Sequence, residues 1–257
     1  MVNQTLEKLL AMRLSTMEQE YRRQLELPAM NALPFDDRLA MLVDAEWLAR
    51  LDRKLRRLIK AAALREPDAC LENIDFNPRR KLDKADIARI SDCMWIKEGK
   101  NLLITGATGT GKTYLSSAFG NAACRLGMSV RSFRVNRLLT DLAIGRGDGS
   151  YNQILNTLKK PDLLILDDFG MSPIDPAACR DFLEVVDDRH GKNSVMLTAQ
   201  LPVNAWHGVF EDATIADAVL DRLIHSAYRI EPKGPSLRRA NPMESQLDNA
   251  GRDDFKN

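Results

Sequence analysis

The chain has 257 residues, 44% of them hydrophobic, and its 37 Lys+Arg against 36 Asp+Glu leave a formal net charge of +1. That length and apolar share suit one large domain, or a medium one with an appendage, and the modest Gly and Pro content excludes wholesale disorder. No apolar run nears the roughly 20 residues that a bilayer requires, the N-terminal MVNQTLEKLLAMRL is too polar for a secretory signal, and the expected location is cytoplasmic.

Residues 1–66 read as a helical N-terminal domain. Leu6, Leu9, Leu10, Met12 or Arg13, Leu14 and Met17 suit a first amphipathic helix. After a break at 30–34, a second helical region runs from Phe35 to about Leu64. In it Trp47, Leu51, Leu55, Leu58 and Ala62 share one face at helical spacing and are expected to form a buried stripe. Arg50, Arg53, Lys54, Arg57 and Lys60 lie on the opposite face, so a local basic patch survives although global charge gives no argument for nucleic acid. Such a face suits phosphate contacts or an acidic partner, and Arg53, Lys54 and Arg57 are the DNA-binding candidates there. Pro67 ends this region.

Residues 67–100 read as a connector on the adenine side of the following domain, with Phe76 within it. From residue 101 to 239 the pattern alternates strand and helix. Strands are expected at 101–105, 128–134, 163–167, 194–199 and 227–231, and helices at 112–126, 136–144, 151–159, 176–189 and 214–225. Continuous apolar strands alternating with helices predict a parallel sheet covered on both faces. Residues 240–257 form a polar tail. Cys70, Cys93, Cys124 and Cys179 have no CxxC spacing and read as reduced thiols. The three histidines lack metal spacing, which argues against zinc.

Between the first strand and the next helix stands Gly106-Ala107-Thr108-Gly109-Thr110-Gly111-Lys112-Thr113, a full Walker A pattern. Glycines allow the backbone to curl so that successive N–H groups face inward, and the helix N-terminus adds positive potential. Lys112 is expected on the β- and γ-phosphates of ATP and Thr113 on Mg2+. Tyr114 and Phe76 complete the expected nucleotide contacts. The apolar strand Leu163-Leu-Ile-Leu ends in Asp167 and Asp168, a Walker B pattern. Asp167 is assigned to magnesium through water, and Asp168 to polarising the attacking water. One strand intervenes in sequence between the two motifs, which points to the P-loop branch that uses a catalytic acid (ASCE) and away from most small-molecule kinases. Gln200 at the tip of the fourth strand, with Thr198 as the alternative, is placed to position that water. Arg222 and Arg238 are late arginines of the kind that stabilise transition-state charge.

GATGTGKT, LLILDDFG, the strand ending TAQ, DRLIHSAYRIEPKGPSLRR and the connector LENIDF together resemble IstB-type transposition helper ATPases, over roughly residues 5–239. These are AAA+ proteins related to DnaC-type helicase loaders and, more distantly, to DnaA initiators. The resemblance implies a three-layer P-loop AAA+ domain with a parallel five-stranded sheet behind a small all-helical domain. It implies an ATPase that forms a homo-oligomer on double-stranded DNA with ATP and assists a cognate transposase. The alternative is a DnaC-like replicative helicase loader. Arg222 matches the family's arginine finger and Arg238, with Arg239 beside it, the second sensor arginine. By resemblance the insertion at about 136–160 contributes DNA contacts through Arg137, Arg146, Lys159 and Lys160.

Overall fold

A computed structural model describes residues 2–237 of the chain; Arg238 and the tail lie outside the described residues. The chain divides into two compact units, Met1–Arg57 and Leu58–Asn257.

In the first unit, helix α1 spans Val2–Ala11, α2 Ser15–Glu26, and α3 starts at Phe35 and runs on to Ala62 in the second unit. The single amphipathic helix expected around 6–17 is two helices. Arg13 adopts a left-handed φ of 59°. The amide of Leu14 then bonds to the Leu9 carbonyl and that of Arg13 to the Leu10 carbonyl, each at 2.9 Å. This pair of bonds closes a Schellman motif. Glycine usually marks that motif, and an arginine there leaves no sequence signal. The carboxylate of Glu46 on α3 accepts from the amides of Thr16 (3.0 Å) and Met17 (3.2 Å), so it caps the N-terminus of α2. Gln24 of α2 donates to the Arg38 carbonyl at 3.1 Å.

These bonds overturn the expected burial of the α3 stripe. Trp47 is 61% exposed and Leu51 46%, whereas Glu46 and Gln24 are buried. Consecutive residues are about 100° apart on a helix, so turning the Glu46 side inward turns the Trp47 side outward. Ala62, at the end of the stripe, is buried.

The second unit carries five parallel strands: β1 Leu102–Thr105, β2 Val130–Arg134, β3 Leu163–Phe169, β4 Ser194–Ala199 and β5 Tyr228–Ile230. Their order is β2-β3-β4-β1-β5, and the strands lie where the apolar runs place them. Before β1 come the short helices α4 (Lys84–Ile90) and α5 (Met94–Lys97). After it come α6 (Lys112–Arg125), α7 (Val135–Asp148), α8 (Tyr151–Lys159), α9 (Pro176–Arg189) and α10 (Ala213–Ile224). Leu103, Leu164, Leu166, Val195 and Leu197 face one buried core with residues of α7–α10. Alternate strand residues face the other side, where α6 comes so close that a Cβ on Gly120 would lie 2.9 Å from Ile165 Cδ1. Both faces of the sheet are therefore covered, as near-continuous apolar strands require. Among the described residues no helix is long and apolar enough to cross a membrane.

Arg189 ends α9 inside this unit. It is 1% exposed, and its guanidinium donates to the carbonyls of Leu158 (2.6 Å), Pro161 (2.9 Å) and Ser194 (2.8 Å). Burial pushes its pKa down to about 10, which still leaves it charged at neutral pH. Arg189→Leu should strand these carbonyls and lower unfolding stability by about 3 kcal/mol or more, read as a shift of the urea midpoint at constant slope. A shift under about 0.5 kcal/mol would mean that water replaces the guanidinium.

Candidate nucleotide site

The loop between β1 and α6 builds the site. Its amide at Gly106 bonds to the Ala199 carbonyl of neighbouring β4 at 3.1 Å. Gly109 and Gly111 hold φ values of 83° and 87°, a region that side chains disfavour. At Gly109 a Cβ would also lie 2.0 Å from Ser236 Oγ, because residues 236–237 cross the loop; the Leu237 amide donates to the Gly109 carbonyl at 2.9 Å. Buried Arg80 supports the loop from the connector by donating to the Thr110 carbonyl at 3.0 Å. Lys112 folds back within the loop, donating to the carbonyls of Gly106 (2.7 Å) and Ala107 (2.8 Å).

The sheet order brings the acids to this loop. Strand β4 separates β3 from β1, and the tips of all three strands converge beside α6. The Thr113 hydroxyl donates to Asp167 Oδ2 at 3.4 Å. The other oxygen of Asp167 accepts from the Thr198 hydroxyl, and that same hydroxyl accepts the Asp168 amide at 3.1 Å. The register of β3 with β4 shifts between Leu166 and Phe169, and Asp168 takes a φ of 61°. A bulge with a left-handed aspartate re-aims one side chain out of the strand alternation. Asp167 is thus held inward, its side chain 2% exposed, while that of Asp168 is 34% exposed. Gln200 accepts from the Thr108 hydroxyl at 2.8 Å.

Thr108, Gly109, Gly111, Lys112, Thr113, Tyr114, Asp168 and Gln200 line one cavity of about 470 Å3. The tightly curled glycine loop and the hydroxyl-carboxylate pair fit a nucleoside triphosphate with a hard cation: the loop amides and Lys112 could hold phosphates, and Thr113 and Asp167 could serve as oxygen donors to the cation.

Other expected residues lie elsewhere. Phe76 lines a separate cavity with Leu71, Ile74, Ile87 and Leu126, because the connector turns its apolar residues onto α4 and the end of α6. It is therefore not a lining residue of the P-loop cavity. Arg222 donates to Asp187 (2.6 Å) and to the Ala218 carbonyl (2.7 Å), and it does not line the cavity of its own chain. Of the DNA candidates, Arg53 pairs with Glu46 at 3.0 Å and Lys159 with Asp188 at 2.9 Å. Arg146 donates to Asp181 through Nε at 2.9 Å and stacks 4.0 Å above the Tyr151 ring. All three side chains are nonetheless about half exposed. Lys54, Arg57, Arg137 and Lys160 are exposed.

Two residues of the site carry roles that sequence reading missed or ranked second. Arg65 reaches both Walker B acids, across 102 residues from Asp167, a separation with no local signal. Thr198, the alternative to Gln200, orients Asp167, while Gln200 itself reaches the phosphate loop. The available clue was a hydroxyl within a largely apolar strand: Thr198 is fully buried and needs an internal partner.

A family model for IstB-like ATP binding proteins matches residues 7–245. The chain is 42% identical over 235 residues to an insertion-sequence ATP-binding protein of Sinorhizobium fredii, covering 91% of this chain and 96% of that one. It is 45% identical over 202 residues to the ATP-binding protein of insertion sequence IS1162 from Pseudomonas fluorescens, covering 79% and 87%. Among solved structures, DnaI superposes with a TM-score of 0.56 at 23% identity, covering 69% of this chain and 94% of DnaI. AMPPCP-bound DnaA from Aquifex aeolicus superposes with a TM-score of 0.54 at 19% identity, covering 71% and 55%. These two likenesses carry the AAA+ fold.

Proposed function

Because the chain belongs to the family of IstB-like ATP-binding proteins, we propose that it is the ATPase of an insertion sequence that assembles on duplex DNA and assists the transposase. ATP hydrolysis by an AAA+ domain is the activity of the fold and family; magnesium dependence, DNA binding, self-assembly and service to a transposase are the proposal. The observation that carries it is that Thr113, Asp168 and Gln200 line one cavity, with Asp167 bonded to Thr113 behind it, while the family's finger position, Arg222, is tied to α9 away from that cavity. In this reading Arg222 reaches the γ-phosphate of a second copy of the chain.

In this reading Lys112 leaves the loop carbonyls for the β- and γ-phosphates, and Gly106–Thr113 amides hold the phosphate oxygens. Thr113 and Asp167 hold magnesium, which supplies charge neutralisation at the transferring phosphoryl group. Asp168 accepts the proton of the attacking water, and Gln200 orients that water. In this reading duplex DNA runs against the exposed Lys54, Arg57, Arg137 and Lys160.

Near-zero net charge means that one copy offers duplex DNA only a local patch. Assembly with ATP would align many patches, and each neutralised phosphate contributes about −0.9 to the slope of log affinity against log salt. The test is an anisotropy titration of labelled duplex at two salt concentrations. ATP and magnesium should raise affinity roughly tenfold or more, and Lys112→Ala should remove that gain. Lys54→Glu/Arg57→Glu/Lys60→Glu spares the Arg53–Glu46 pair and should weaken DNA binding while ATP binding persists. Equal DNA affinity for this variant and wild type would remove the α3 basic face from the reading.

A further inference from the structure

We propose that Arg65 is a displaceable counter-cation of the magnesium carboxylate, one that must leave Asp167 before the metal can be held there. The proposal rests on the ATP-magnesium reading above and deepens it.

The segment carrying Arg65 is pinned to α6. Ala63 turns the chain with a φ of 51°. Leu64 packs against Gly120, where a Cβ would lie 2.7 Å from Leu64 Cδ2. The Glu66 amide donates to Ser117 Oγ at 3.3 Å, and Asn121 Nδ2 donates to the carbonyls of Pro67 (3.1 Å) and Ala69 (3.0 Å). The backbone is therefore fixed, and the long side chain is the part free to swing.

Its guanidinium Nη1 donates to Oδ2 of Asp167 and, at 2.8 Å, to Oδ2 of Asp168. Asp167 Oδ2 is also the oxygen that Thr113 approaches, and Oδ1 is taken by Thr198. Thr113 and Asp167 would hold the hydrated cation, and with Oδ1 bonded to Thr198 the oxygen of Asp167 left to serve it would be this same Oδ2. Arg65 and the hydrated metal thus compete for one acceptor. One cation between two adjacent carboxylates also offsets their mutual repulsion, so Arg65 holds both side chains in place. The Arg65 side chain is 29% exposed and lines the nucleotide cavity, so on release it has open volume to enter. Arg65 is on this argument a positioning residue that sets how much magnesium the site requires.

The experiment follows binding of a fluorescent non-hydrolysable ATP analogue while magnesium is titrated from an EDTA-treated start, for wild type, Arg65→Ala, Arg65→Lys and Arg65→Gln. Arg65→Ala should reach half-saturation at roughly tenfold less magnesium, the scale of one charge-assisted hydrogen bond. Arg65→Lys should fall between the two. Thermal melts report folding, and Arg65→Gln supplies the answer if Arg65→Ala does not fold. An unchanged magnesium midpoint with normal analogue binding overturns the competition. A midpoint shifted to more magnesium also overturns it and makes Arg65 a phosphate ligand. Failure of wild type to bind the analogue at any magnesium concentration instead sinks the ATP-magnesium reading beneath it.

Discussion

Asp168→Asn should bind ATP with nearly unchanged affinity and hydrolyse it about 10²–10⁴ times more slowly, the range for losing a positioned general base. The carboxylate lines the cavity beside Gln200, and its backbone is set by the Thr198 hydroxyl and a φ of 61°. Asparagine tolerates that left-handed conformation as well as aspartate does, so the bulge should persist. What is lost is the charge that accepts a proton. The amide also weakens one of the two bonds to Arg65, but that pair is partly exposed and adds little to stability. Phosphate release and equilibrium binding of a non-hydrolysable analogue separate the two effects. Full turnover would assign the base to another residue. Loss of binding would mean that the Walker B tip had collapsed.

Arg222→Ala should leave ATP binding intact and cut hydrolysis about 10³-fold or more, as removal of an arginine finger does. Arg222 lies in the last turn of α10, held by Asp187 and the Ala218 carbonyl, and it does not reach the cavity of its own chain. In the proposed assembly its charge acts on a neighbour's γ-phosphate. Mixing Arg222→Ala with Asp168→Asn subunits creates some interfaces with one intact acid and one intact arginine. Activity should peak at intermediate ratios, although each variant alone is inactive. A flat mixing curve would exclude action in trans. Arg222→Lys should not restore the rate, since an ammonium lacks the planar two-pronged donor.

Much of the ATPase unit was legible in order along the chain. GATGTGKT between an apolar strand and a helix, and LLILDD at the end of another strand, depend on residues adjacent in sequence. Glycine conformational freedom, helix polarity and strand burial act over a few residues, so their signals are local. The helices of the first unit were legible as helices but not in their pairing. Periodicity marks an apolar face, yet whether that face is covered depends on what packs beside it. On α3 the Glu46 side found the N-terminus of α2 to cap, and the Trp47 stripe was left outward. Three of the seven basic residues assigned to DNA, Arg53, Arg146 and Lys159, pair internally with Glu46, Asp181 and Asp188. Charge counting cannot distinguish a paired cation from a free one.

The sequence by itself determined the phosphate loop, the two acids, the parallel α/β order and the family resemblance. Each is written in short contiguous patterns whose physics is local. Only the tertiary structure decided which residues surround those acids. It seated Thr198 on Asp167, turned Phe76 into another cavity, and delivered Arg65 to the Walker B tip across 102 residues. Contacts of that kind arise from chain crossings, the β4 insertion between β1 and β3 and the pinning of residues 62–70 on α6. Their geometry is set by the packing of the whole unit, because a buried or paired charge is stable only where partners from distant segments converge on it.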